Sequence, residues 1–74
     1  MTGSTVPQRV GQRVREARKA AGMTQAELGQ RVGVTPSAIA HLEAGIRDTT
    51  VTRLTAIAEV LGLDLGALVG LEAA

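Results

Sequence analysis

The chain has no cysteine, no phenylalanine, tyrosine or tryptophan, two prolines and a single histidine. Without cysteine it can form neither a disulfide nor a thiolate metal site. His41 cannot assemble a metal site alone, so neither metal nor cofactor is expected. Without aromatic rings the core has to be built from Leu, Val, Ile and Ala, and bases have no platform to stack on. That argues against most single-stranded nucleic-acid modules. No apolar run approaches the ~20 residues of a membrane-spanning helix, so no membrane partner is expected. The opening MTGSTVPQ lacks the basic and apolar regions of a secretory signal. A cytoplasmic chain is the expectation. The pattern also lacks a carboxylate pair with a positioned base, a nucleophile with a histidine partner and a phosphate-cradling loop, so it does not read as an enzyme. At 74 residues it is one domain, close to the smallest size at which a lone core suffices.

The net charge of +1 hides an asymmetry. Residues 1–37 carry six cations (Arg9, Arg13, Arg15, Arg18, Lys19 and Arg31) against Glu16 and Glu27, a balance of +4. Residues 38–74 carry Arg47 and Arg53 against five carboxylates, a balance of −3. A basic first half and an acidic second half suit a protein that meets a polyanion with one side only.

The organising stretch is TQAELGQRVGVTPSAIAHLE, residues 24–43. Thr24 is a hydroxyl N-cap, and Glu27 three positions later completes a capping box. Leu28 and Val32 form an apolar stripe at helical spacing. Gly33 can take the left-handed conformation that ends a helix. Thr35 followed by Pro36 signals a second start, and Ile39 and Leu42 turn that helix onto the same core. The pattern predicts two short helices around a tight turn.

On either side the chain again reads as helix. Val10, Val14, Ala17 and Ala21 recur on one face of a first helix that Gly22 ends. After Ala44 and Gly45, Thr50 caps a fourth helix whose buried stripe is Val51, Leu54, Ile57, Ala58 and Leu61, with Gly62 as its stop. Leu63 continues the core, and Asp64 caps a short fifth helix over residues 65–69. Residues 1–5 are expected as a disordered arm, 6–70 as the folded domain and 71–74 as a tail.

Residues 24–43 resemble the helix-turn-helix of the phage-repressor and Cro-type (XRE-like) family of DNA-binding domains. Leu28, Val32, Val34, Ile39 and Leu42 fall where that family packs apolar side chains. Gly29 falls where the two helices cross, and Gly33 on the turn. The resemblance extends over roughly residues 10–69. It implies an all-α, compact, five-helix lambda-repressor-like domain with the helix-turn-helix at helices 2 and 3. It also implies double-stranded DNA as partner, with the third helix in the major groove and the second crossing above the backbone. Thr35, Pro36, Ser37, Ala40 and His41 then meet base edges. Gln25 sits at the start of helix 2, where amide groups and the helix dipole suit a phosphate. Arg47 is a further phosphate contact, with Arg13 and Arg31 as lesser ones. Direct readout is thin. Pro36 has no donor, Ala40 offers only a methyl, and Ile46 stands where the family often has a basic residue. Phosphates and DNA shape therefore carry a larger share.

The resemblance gives two charged residues a structural role: Arg18 and Glu43 match a pair that the family joins in a partly buried salt bridge. It also implies a homodimer through the end of the chain, with Leu65, Gly66, Leu68, Val69 and Leu71 as the interface. The function expected is a sequence-specific regulator of transcription, most simply a dimeric repressor on a near-palindromic operator. The alternative is an antitoxin or adaptor whose helical domain mainly holds a protein partner, such as a toxin.

Overall fold

Hydroxyl caps and left-handed glycines divide the chain into helices. The computed structural model describes residues 6–46 and 50–69, with backbone only at positions 67 and 69. The helices are α1 (Val6–Ala20), α2 (Gln25–Val32), α3 (Pro36–Ala44) and α4 (Val51–Leu61), followed by a single helical turn at Leu65–Val69. Residues 1–5 and 71–74, together with Arg47 and Leu71, lie outside the described residues.

Each internal helix start has its expected cap. The Thr24 hydroxyl accepts from the Glu27 amide at 3.0 Å, and the Glu27 carboxylate accepts from the Thr24 amide at 2.8 Å. The Thr24 backbone amide, and after it the Thr24 hydroxyl, favour the charged form and hold the Glu27 carboxyl below the usual carboxylate range. Thr35 and Thr50 cap α3 and α4 by accepting from Ala38 and Arg53, both at 3.1 Å. Gly33 ends α2 at φ +80° and Gly45 ends α3 at φ +71°, conformations that cost a β-carbon dearly.

The five-helix expectation is corrected. Four helices of eight to fifteen residues build this all-helical domain, and Leu65–Val69 adds only a single helical turn of five residues. Five residues make little more than one turn at 3.6 residues each, too few to offset the cost of helix nucleation without the burial of Leu68 in the core. Gly66 within it lowers helix propensity further. The Leu68 amide reaches the Asp64 carbonyl at 3.3 Å. The Asp64 carboxylate leans over Gly66, where a β-carbon would come within 2.9 Å of Oδ2.

The core is aliphatic throughout. Val14, Leu28, Ile39, Ile57 and Leu68 are wholly buried, and Val10, Leu42, Leu54 and Ala58 nearly so. Met23, Val32, Val34, Val60, Leu61, Leu63 and Leu65 pack around them. Two positions depart from the expected stripes. Ala21 lies beyond the end of α1 and is exposed. Val51 is 69% exposed, because the first residue of α4 precedes the point where that helix meets the bundle. In place of Ala21, α1 buries Gly11 and Arg18.

Gly11 sets the distance between α1 and α3. A β-carbon there would stand 2.3 Å from the Leu42 carbonyl oxygen and 2.6 Å from that of Glu43. At Gly45 a β-carbon would stand 2.6 Å from the Gln8 Cα. Gly29 plays the same part between α2 and α3, facing the Val34 carbonyl oxygen at 2.6 Å. The α3 helix is thus clamped by backbone contact on two sides.

Candidate nucleic-acid interface

The clamped helix presents short side chains outward. Thr35, Pro36, Ser37 and His41 are exposed, and Ile39, Leu42 and Glu43 are buried. The Thr35 hydroxyl oxygen accepts from its cap partner, which leaves its hydrogen and one lone pair for another group. Ala40 is half-buried and lines the rim of a notch with Arg15, Arg18, Gln25, Glu43 and Ala44.

Beneath that notch lies the domain's buried charge. Arg18 Nε donates to Glu43 Oε2 at 2.6 Å and Nη2 to Glu43 Oε1 at 3.1 Å, a bidentate fork. The two side chains are 9% and 4% exposed, more fully buried than expected. Arg18 Nη1 also donates to the Met23 carbonyl at 2.8 Å. One guanidinium therefore joins α1, the α1–α2 connection and the end of α3. The hydrogen bond to Glu43, more than its charge, holds the Arg18 pKa above the ordinary arginine value.

Gln25 shares this network. Its Nε2 donates to Glu43 Oε1 at 3.1 Å, so that oxygen accepts from both Arg18 and Gln25. An amide nitrogen has two hydrogens, and one of Gln25's is committed inside the protein. The residue at the start of α2 is consequently tied to the recognition-type helix, a link that sequence spacing does not reveal.

The other basic residues are spread around the molecule. Arg31 is exposed at the end of α2, where its charge also reaches Glu27. Arg13 is half-buried on a different side of α1, lining clefts with Arg9, Gln12 and Glu16 and with Ala17, Leu63 and Leu68. Arg15, to which the sequence assigned no individual role, is exposed and shares the notch with Gln25 and Ala40. Its position, three residues before Arg18 on a helix facing α3, was the available signal.

The proposed dimer residues divide. Leu68 is wholly buried and its side chain is spent on the monomer core. It cannot also form a surface between subunits, which corrects its assignment. Leu65 packs half-buried against the core and Gly66 is half-buried. Among the described residues there is no cluster of three metal-ligating side chains, and no helix is long and apolar enough to cross a membrane.

Comparison with known proteins agrees with this geometry. A helix-turn-helix family profile matches residues 14–68. The HTH-type transcriptional regulator RamB of Mycobacterium tuberculosis is 42% identical over 55 residues, covering 74% of this chain and 12% of RamB. The immunity repressor protein of Bacillus phage phi105 is 33% identical over 63 residues, covering 85% of this chain and 44% of the repressor. The chain thus spans about an eighth of the first of these curated relatives and less than half of the second. Among solved structures, the P22 c2 repressor in complex with a synthetic operator superposes with a TM-score of 0.79 at 32% identity, covering 84% of this chain and 94% of that one. With caps, turn glycine, aliphatic core and matched span together, the chain belongs to the XRE-type helix-turn-helix family.

Proposed function

We propose that this domain is a sequence-specific binder of double-stranded DNA that regulates transcription as a repressor, with α3 in the major groove. The observation that carries the reading is the exposed Thr35–Ser37–His41 face of α3, on a helix that Gly11, Gly29 and the Arg18–Glu43 fork hold rigidly against its neighbours. Rigid placement of a base-reading helix is what discrimination between base pairs requires. The operator complex of the similar P22 c2 repressor supports the same reading.

The roles divide by position. Ser37 and His41 read bases, and the Ala40 methyl suits a thymine methyl. Gln25, with its second amide hydrogen and its main-chain N–H at the start of α2, takes a phosphate. Arg31 takes a further phosphate, and the same role is assigned from the sequence to Arg47. A homodimer through Leu65, Gly66, Val69 and Leu71 would set two α3 helices about 34 Å apart, one turn of DNA. The reading does not include catalysis.

A protein partner is the second reading, and exposed Ile46 and Val51, at 66% and 69%, favour it. Selection of bound duplexes from a random pool separates the two. A near-palindromic enriched site is expected, and His41→Ala should change the preferred bases by ~1–3 kcal/mol at its position. Absence of any enriched duplex, or an asymmetric site bound by one copy, counts against the regulator or its dimer respectively.

A further inference from the structure

The notch between α1, the start of α2 and α3 is lined by Arg15, Arg18, Gln25, Ala40, Glu43 and Ala44 and encloses about 260 Å³. Its charges do not cancel. Arg18 and Glu43 neutralise each other through the bidentate fork, which leaves Arg15 as an uncompensated unit of positive charge. Among the described residues no carboxylate pairs with Arg15. Arg15 is exposed where it lines the notch, and α3 contributes to the lining Glu43, already paired with Arg18, and the methyl groups of Ala40 and Ala44. Gln25 brings a second amide hydrogen to the same opening, the first being held by Glu43. One net positive charge beside two kinds of N–H donor, in an open polar notch at the flank of α3, matches one phosphodiester group.

We infer that Arg15 and Gln25 form a seat for a single backbone phosphodiester of duplex DNA, with the Arg18–Glu43 pair as its neutral floor. The inference rests on the duplex-binding reading and adds to it a contact from α1. Arginine suits this position because its planar fork can grip two phosphate oxygens at once. The floor matters as much as the cation. Had Glu43 been unpaired, its charge would repel the phosphate, and Arg18 prevents that. The seat lies beside the bases read by α3, so it fixes the height and register of that helix in the groove without carrying sequence information.

The test is a salt titration of duplex affinity with the whole chain and a duplex of fixed sequence. Each phosphate contact contributes about 0.9 to the slope of log K against log salt. Arg15→Gln should weaken binding at 50 mM salt, and its deficit against wild type should shrink about three- to four-fold by 200 mM. Arg15→Lys should restore the slope. Arg9→Gln removes the same charge from α1 outside the notch and should leave the slope nearly unchanged. Thermal midpoints of the Arg15 variants should match wild type, since the side chain is exposed. Equal slope changes for Arg15→Gln and Arg9→Gln would overturn the seat while leaving the duplex reading intact. Competition by inorganic phosphate at matched ionic strength would also overturn it, by showing a free-anion site instead. If wild type binds no duplex at any salt, the reading beneath the seat fails with it.

Discussion

The two halves of this domain are held together by different physics. From α1 to α3 the helices meet backbone to backbone at Gly11, Gly29 and Gly45, and a buried bidentate ion pair with two further hydrogen bonds locks the contact. From α4 to the terminal turn the chain relies on aliphatic burial of Leu54, Ile57, Ala58 and Leu68, with the Thr50 cap at its start. Aliphatic packing tolerates substitutions that keep volume. A buried fork does not, because losing one partner strands a charge in a poor solvent. The half that would face DNA is therefore the half whose geometry is least adjustable, and the other half serves as its support.

Breaking the ion pair should have the largest effect. Arg18→Ala or Glu43→Ala should each cost ~3–5 kcal/mol, the penalty for an uncompensated buried charge. Denaturant midpoints would measure it, with the double mutant closing the cycle. A coupling energy near zero would mean that the fork adds nothing beyond packing.

The matching probe of the aliphatic half is Ile57→Ala, which deletes a wholly buried side chain and should cost ~2–5 kcal/mol through lost burial and a cavity. Ile57→Val should cost only ~0.5–1.5 kcal/mol. Graded loss here and abrupt loss at Arg18 would sharpen the contrast; equally graded behaviour at both would erase it.

Gly11→Ala is next. The added methyl meets two carbonyl oxygens, which cannot swing aside as a side chain can. Overpacking of this kind costs roughly 1–3 kcal/mol. Alanine is the better helix former, so any stabilisation in a thermal melt would show that α1 and α3 are less tightly joined than the backbone contacts require.

The smallest effect concerns acid. Glu27 has a lowered pKa in the fold, so its contribution is present above the ordinary glutamate value near 4.3 and is lost as pH falls through its depressed value. Glu27→Gln can keep the capping box, since glutamine also accepts from the Thr24 amide. The variant should fold like wild type at neutral pH and lose slightly less stability on acidification. Parallel thermal midpoints for the two proteins across pH 3–5 would remove the carboxylate from the account.

Much of this was legible in the sequence because it is local. Thr24, Glu27, Thr35 and Pro36 act on amides within their own helix, and Gly33 on a single backbone angle. Hydrophobic spacing placed Val10, Val14, Leu28, Ile39, Leu42, Leu54 and Ile57 inward. It failed at the ends of helices. Ala21 and Val51 keep the period but lie where the chain is entering or leaving the bundle. Leu68 reads as surplus apolar surface on so short a segment, yet the bundle had room for it.

The sequence by itself determined where four helices start and stop, that their core is aliphatic, and that positive charge gathers in the first half, because caps, periodicity and composition act over a few residues. Only the tertiary structure decided which cation is buried and which remains outside. Arg15 and Arg18 are alike in sequence and three residues apart on α1. Close approach of α1 to α3 at Gly11 places Arg18 against Glu43, 25 positions away, and leaves Arg15 at the mouth of the notch. Spacing along a helix fixes which face a side chain occupies, but its partner on that face comes from a distant part of the chain.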